Sequence, residues 1–295
     1  MLGYRHSFHA GNIADVLKHA VLIRCVRYMT QKPKPLLCLD THAGAGIYTV
    51  NENGEWAAGA GMLFEINKTN SKRLPAPVSD YLEIAIEKIP DEEITYRGSP
   101  ALMGILLRDQ DRLVCSELHP GDFQELEKAL NALKGISPDN TSRKKTAAME
   151  ARNEDGMRSL KSLLPPPYGR GLILIDPSWE EKNEFAEIPM SIAGALKRFP
   201  NGTYIVWYPL LLRAKTPDSG LIGEKLFNLY EGNRCRLELY NPKAGINAHS
   251  PRGMYGSGLV IYNPPWTLKP VLDEMLPWLA GVLLENGEWN LEWKE

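Results

Sequence analysis

Gly171-Leu172-Ile173-Leu174-Ile175-Asp176-Pro177-Ser178-Trp179 is an apolar run of five residues that stops on a carboxylate, a proline and an aromatic ring. A run this short, bounded by glycine and proline, reads as a strand buried on both faces, the kind found inside a parallel sheet. Two other segments have the same form. Leu36-Leu37-Cys38-Leu39 runs into Asp40, and Leu113-Val114-Cys115-Ser116 runs into Glu117. Around these strands the pattern alternates. Ile94-Thr95-Tyr96 reads as a strand, and Ser99 as the N-cap of a helix with Pro100 in its first turn. A helix follows over 121–134, a strand over 145–151, and a short helix after Asp155-Gly156. Beyond the opening stretch come a helix over 185–199, a strand over 203–207, a helix over 221–230, and strands near 236–240 and 258–262. From residue 288 the alternation of Trp289, Leu291 and Trp293 fits an edge strand. Strand–helix alternation of this kind predicts an α/β fold, a mostly parallel sheet with helices on both faces.

A helix is expected over 9–29, with Asn12 as its N-cap and Asp15 three residues on. Ile13, Val16, Leu17, Ala20 and Val21 form its apolar stripe, and Lys32-Pro33-Lys34-Pro35 ends it. Residues 50–95 break the alternation, with a helix expected over 79–88, and read as a small helical insertion. The expected organisation is therefore 1–49 with 96–295 as one Rossmann-like domain, interrupted by 50–95.

The 295 residues are 43% hydrophobic and 24% charged, with net charge −2, which argues against coating nucleic acid by bulk electrostatics. Local basic clusters remain at Arg143-Lys144-Lys145, at Lys197-Arg198 and near Arg5. No apolar run approaches the roughly 20 residues of a membrane span. The polar start, Met1 to His6, lacks the apolar core of a signal peptide, so a cytoplasmic location is the default expectation. Cys25, Cys38, Cys115 and Cys235 lie far apart with no CxxC pair, and are expected to be buried free thiols. Trp266, Trp278, Trp289 and Trp293 are expected to pack in the core or at an edge.

In open α/β sheets ligands bind beyond the C-terminal strand ends, where strand order reverses. The loop after Asp40, Thr41-His42-Ala43-Gly44-Ala45-Gly46, has the two glycines that close backbone approach requires. It lacks the third glycine of the dinucleotide fingerprint, because Thr49 stands there, and no Gly-Lys-Ser/Thr of a phosphate loop follows. A nucleoside-like, phosphate-free cofactor, S-adenosylmethionine, fits better than NAD or ATP, with Glu117 as the acid for ribose hydroxyls.

Asp176-Pro177-Ser178-Trp179 has a plain reading, a strand ending in a proline turn with a surface tryptophan. It also has a chemical one. An adenine amine is a poor nucleophile because its lone pair is delocalised into the ring. Hydrogen bonds from the amine to Asp176 and to the Pro177 carbonyl would let the nitrogen aim that lone pair. Trp179 would then stack on the flipped-out base. Neither a metal nor a covalent intermediate is needed.

Several segments together resemble one family. They are Tyr4-Arg5-His6-Ser7-Phe8-His9-Ala10-Gly11-Asn12, Asp15-Val16-Leu17-Lys18-His19, Leu39 to Gly46 and Gly171 to Pro177. Shorter matches are Gly98-Ser99-Pro100, Glu117-Leu118-His119-Pro120, Asp155-Gly156, Gly202-Thr203-Tyr204, Trp207-Tyr208-Pro209, Arg252-Gly253-Met254 and Asn263-Pro264-Pro265-Trp266. The chain is similar over nearly its whole length to the large-subunit (23S) ribosomal RNA adenine-N6-methyltransferase J family, once labelled as proteins for catabolism of external DNA. The resemblance implies a class I Rossmann-like methyltransferase with a small helical insertion after the first strand, using S-adenosylmethionine. It implies that Lys18, His19, His42, Ser99, Glu117, Asp155, Gly156 and Asp176 lie at or near the cofactor, beside Asp40, Gly44 and Gly46 of the glycine loop. It further implies that Tyr4, with His6 near it, touches the target adenosine and that Asp176 accepts from its amine. The implied partner is 23S ribosomal RNA, protein-free or in an early assembly intermediate, with no membrane and no obligate protein partner.

One departure stands out. The family's loop is Asp-Pro-Pro-Tyr, whereas here it is Asp-Pro-Ser-Trp. A proline restricts the residue before it to extended conformations, so Ser178 removes a restraint on Pro177. Two other readings remain open. His6, His9, Asp15, His19, Asp40 and His42 would suit a metal-dependent nuclease, although no metal motif of established spacing is present. A non-catalytic nucleic-acid-binding relative would retain the same fold.

Overall fold

The computed structural model describes residues 6–50, 54–88, 93–134, 146–212, 214–244 and 253–295. Its first helices are α1 (His6–His9) and α2 (Ile13–Thr30), the latter capped by Asn12, whose side chain accepts from the Asp15 N–H at 2.9 Å. The Asp15 carboxylate in turn accepts from the Gly11 N–H, so the cap works in both directions. Strand β1 (Leu37–Asp40) follows, fully buried. Then come β2 (Ile47–Val50), a 3-10 turn at Glu55–Ala58, α3 (Ala60–Thr69), α4 (Ala76–Ala85), β3 (Ile86–Glu87) and β4 (Ile94–Arg97).

Alternation resumes with α5 (Ser99–Leu106), β5 (Arg112–Ser116), α6 (Pro120–Leu133), β6 (Ala148–Arg152), α7 (Gly156–Leu163) and β7 (Gly171–Ile175). The remaining elements are α8 (Glu184–Arg198), β8 (Thr203–Leu211), a 3-10 turn at Pro217–Leu221, α9 (Ile222–Phe227), β9 (Arg234–Tyr240), β10 (Met254–Tyr262), α10 (Leu268–Leu283) and β11 (Glu288–Lys294).

The main sheet has the order β11-β9-β10-β8-β7-β1-β5-β6. Five strands from β6 to β8 are parallel, and β10, β9 and β11 add an antiparallel flank. Helices α5 and α2 cover one face together with α10, while α7, α8 and α9 pack on one another over the other. This is the α/β arrangement read from the strand pattern. All five residues of β7 are buried between β1 and β8, and β11 lies at the edge. The chain order leaves β1 toward β5 and β6, then crosses back to β7, so the strand order reverses beside β1. Ligand sites in such sheets lie at that reversal.

Some local expectations differ from the structure. The 50–95 segment is not only helical, because β2, β4 and β3 form a separate three-stranded antiparallel sheet beside α3 and α4. Strand β4 therefore belongs to that small sheet and not to the main one. The N-cap of α5 is Gly98, one residue before Ser99, which frees the Ser99 hydroxyl to face inward. Burial on α2 runs beyond the expected stripe to Leu22, Ile23, Cys25 and Val26, because the helix is enclosed by α3, α4, α5, α10 and the sheet. Trp266 is 75% exposed, contrary to the packing role expected for it, whereas Trp289, 40% exposed, sits on the edge strand β11. The four cysteines are buried and free. No helix among the described residues is long and apolar enough to cross a membrane.

Candidate active site

Beyond Asp40 the chain stays stapled to the sheet. The Thr41 N–H donates to the Leu174 carbonyl of β7, and the Ala43 N–H donates to Ser116 at the end of β5. Gly44 and Gly46 both have positive φ, +60° and +78°, which side chains rarely tolerate. Gly46 packs against Leu126 and Ala129 of α6, so it shapes the loop from behind. Asp40 is fully buried. Its Oδ1 accepts from the His42 N–H, and its Oδ2 has no hydrogen-bond partner among the described residues. Burial pushes its carboxyl up to about 7, with a hydrogen bond from Ser99 opposing the shift and the nearby Asp176 charge adding to it.

Glu117 follows β5 and clamps the loop. One carboxylate oxygen accepts from the Gly44 N–H at 2.8 Å and the other from the His119 N–H at 2.7 Å. Asp155 caps α7, accepting from the Met157 N–H at 2.9 Å. Gly156 lies so close to the Thr41 carbonyl that a Cβ there would fall 1.9 Å from its oxygen. Only glycine lets α7 approach the loop this closely.

Across the strand reversal, the Lys18 ammonium on α2 bridges two carboxylates. It pairs with Asp15 at 2.8 Å and with Asp176, which follows β7. Burial opposes its charge, but the two carboxylates outweigh that and raise its proton affinity well above the lysine range. The Lys18 ammonium, with His19 and the Gly11 N–H, holds Asp15 far below the usual carboxylate range against its own burial. His19 spans outward from this bridge, its Nε2 3.9 Å from Asp15 Oδ1 and its Nδ1 2.7 Å from the Tyr96 hydroxyl, which in turn meets Tyr81 at 3.1 Å. His19 therefore ties α2 to β4 and α4.

The loop after Asp176 is held differently from its expected role. Trp179 is 1% exposed, its Nε1–H donates to the Trp207 carbonyl at 3.0 Å, and its ring packs on Phe185 at 5.0 Å. Trp179 borders the cleft, but in this structure its ring is enclosed and serves as a buried anchor, so the stacking expected of it would need the ring to be uncovered. Its φ is +53°, a left-handed conformation rare outside glycine.

A cleft of about 1150 Å³ opens over the C-terminal strand ends. His42, Glu117, Asp155, Gly156, Asp176 and Pro177 share its wall, and Lys18 lines it too. Ser99 and His19 line a smaller niche of about 20 Å³ that also meets Lys18, His42 and Asp176. Asp40, Gly44 and Gly46 stand behind the wall and reach neither space. Tyr4 and the His6 side chain lie outside the described residues, as do Arg5, Arg143-Lys144-Lys145 and Arg252. The histidines named for a metal site point to separate partners, His9 to Glu55, His19 to Tyr96 and His42 to Thr41. Sequence reasoning missed Lys215, Trp207 and the ionic role of Asp15. The i,i+3 spacing of Asp15 and Lys18 was the available signal for the last.

The donor set suits a phosphate-free nucleoside bearing a positive charge. Carboxylates of Glu117, Asp155, Asp15 and Asp176 face one cleft, and each keeps acceptor capacity beyond the bonds named. Such acceptors match ribose hydroxyls and a cationic sulfur, and would repel a pyrophosphate.

The family described as ribosomal RNA large subunit methyltransferase D, RlmJ, matches residues 33–295. The chain belongs to this family. Ribosomal RNA large subunit methyltransferase J of Haemophilus influenzae is 37% identical over 303 residues, 99% of this chain and 99% of that protein. The Escherichia coli protein of the same name is 36% identical, over 97% of this chain and 96% of its own length. Among solved structures, protein LPL1258 from Legionella pneumophila aligns with a TM-score of 0.80 at 33% identity, over 97% of this chain and 98% of that one. Within this family the sheet order described above is the class I Rossmann-like methyltransferase core, extended by β11 at one edge.

Proposed function

We propose that this chain transfers a methyl group from S-adenosylmethionine to the N6 amine of an adenosine in 23S ribosomal RNA, acting directly on a base turned out of its stack. The observation that carries this reading is the position of Asp176. It ends the central strand β7 and lines the cleft beside the strand reversal, with Pro177 next to it. Family membership supports ribosomal RNA methylation as the general activity.

The cofactor supplies an electrophilic methyl group on a cationic sulfur. Glu117 and Asp155 receive its hydroxyls and amines, while the joint negative charge of the cleft favours its cation. Asp176 and the Pro177 carbonyl accept the two amine hydrogens of the adenine, which turns the nitrogen lone pair toward the methyl. A carboxylate offers about four acceptor sites, more than the Lys18 pairing occupies. Lys18 fixes the carboxylate's direction, so little reorganisation is left for the moment of transfer. The positive charge developing on nitrogen then faces Asp176, and the proton the amine gives up leaves to water through the open cleft.

The deciding experiment is incubation with protein-free 23S ribosomal RNA lacking native methylation, followed by nucleoside mass spectrometry. N6-methyladenosine at one position, absent with Asp176→Ala and unaffected by EDTA, is the expected result. Methyl on another base, or equal rates with the variant, would overturn the assignment.

A further inference from the structure

The loop that carries Asp176 is exposed at Ser178, yet its course is fixed by contacts from another part of the chain. The Lys215 ammonium donates to the Trp179 carbonyl at 2.8 Å and reaches the Glu180 carbonyl at 3.2 Å. Lys215 is exposed, and its backbone is held in place. Its N–H donates to the Ser219 hydroxyl at 2.7 Å, and Thr216 and Ser219 form a reciprocal cap on the 3-10 turn Pro217–Leu221 that packs on β8 and α8. From inside, the Trp179 indole is fastened to the Trp207 carbonyl of β8. The segment after Ser178 is thus gripped at the Trp179 indole and at the Trp179 and Glu180 carbonyls, with Trp179 itself in a left-handed conformation. A left-handed tryptophan persists only where its surroundings over-determine it.

We propose that Lys215 is a positioning residue for methyl transfer, doing through two charge-assisted hydrogen bonds what a proline at 178 would do by restricting the backbone. The two devices act on neighbouring parts of the same loop. A proline at 178 would fix Pro177 from the next residue, whereas Lys215 and Trp179 fix the chain just beyond and let Ser178 stand exposed. The catalytic part rests on the reading that Asp176 and the Pro177 carbonyl hold the adenine amine.

The test compares Lys215→Met, Lys215→Arg, Ser178→Pro and the double variant Lys215→Met/Ser178→Pro in the full chain. Amide hydrogen exchange over 178–184 is measured without RNA or cofactor, and kcat and KM are measured with both. Charge-assisted bonds of this kind set the expected scale at about tenfold. Lys215→Met should speed exchange in that segment and lower kcat by that factor, with KM for the cofactor little changed. Lys215→Arg should retain most of both, and adding Ser178→Pro should restore what Lys215→Met lost. Unchanged exchange and kcat in Lys215→Met would overturn the proposal, as would a rise in exchange spread evenly over the chain. Failure of Ser178→Pro to restore either quantity would overturn the equivalence with proline. Exchange judges the latch on its own, whereas absence of methylated adenosine from the unmodified protein would count against the assignment of Asp176.

Discussion

Lys18 on α2 is ion-paired with Asp176 at the end of β7, so a helix near the N-terminus supplies the partner of the carboxylate that ends the central strand. Their side chains are only 7% and 9% exposed, and Asp15 completes the bridge. Removing one partner of such a buried set leaves charge uncompensated, which is worse than never having had the pair.

Lys18→Met is therefore expected to destabilise the protein by about 3 kcal/mol. Urea unfolding at pH 7 measures it. A loss below about 0.5 kcal/mol would mean that the bridge behaves like a solvent-exposed pair.

Asp40 gives the stability a pH dependence of definite sign. Its carboxyl rises from 3.8 to about 7 in the folded chain. Between those values the folded state holds a proton that the unfolded state has released. Asp40 thus contributes stability below about pH 4, loses it as pH climbs, and changes nothing further above about pH 7. Asp40→Asn should remove that decline, so the difference in urea midpoint between variant and parent should grow in the variant's favour from pH 4 to pH 7. A difference that stays constant over that range would show that Asp40 titrates normally.

Glu117→Gln puts an amide NH2 where a carboxylate oxygen now meets a backbone N–H, from either Gly44 or His119. One donor must then face another. Cofactor affinity is expected to fall about tenfold, in line with roughly 1.5 kcal/mol for an acceptor lost from a charged hydrogen bond. Calorimetric titration with S-adenosylmethionine reads this directly, and an unaltered Kd would leave Glu117 a purely structural clamp.

Trp179→Phe deletes the Nε1–H that binds the Trp207 carbonyl while leaving an apolar ring against Phe185. A loss of about 1–2 kcal/mol in stability is expected from the orphaned carbonyl. Because the indole is an anchor, kcat should drop while KM for RNA holds. A raised KM for RNA with an intact kcat would instead restore the base-stacking role.

The parallel core could be read from local sequence because each buried strand ends on its own acid, as Asp40, Glu117 and Asp176 do. The Asn12 cap was equally local. What escaped depends on partners far apart in the chain. Strand β2 is four residues long and makes sense only against β4, which lies 47 positions on by the Ile47–Ile94 spacing. Helix α10 was hidden by Pro270 and by Pro277 inside it, which interrupt the helical signal without breaking the packed helix. In the site, residue types announced the carboxylates but not their neighbours. Nothing local links Lys215 to Trp179, and an aromatic after Asp-Pro looks the same whether it faces a ligand or the core.

The enclosure of α2 bears on how the protein is made. The helix is among the first elements in the chain, yet β10 and α10, which help to cover it, come from residues 254–283. During synthesis its apolar surface, from Val16 to Met29, can be covered by α3, α4, α5 and β7 but stays incompletely enclosed until those residues have emerged. Assembly of the site is then a late event, because Lys18 takes its final place only when α2 docks. A nascent chain stalled before residue 254 would be a species for chaperones, with a sticky helix and an unclosed sheet.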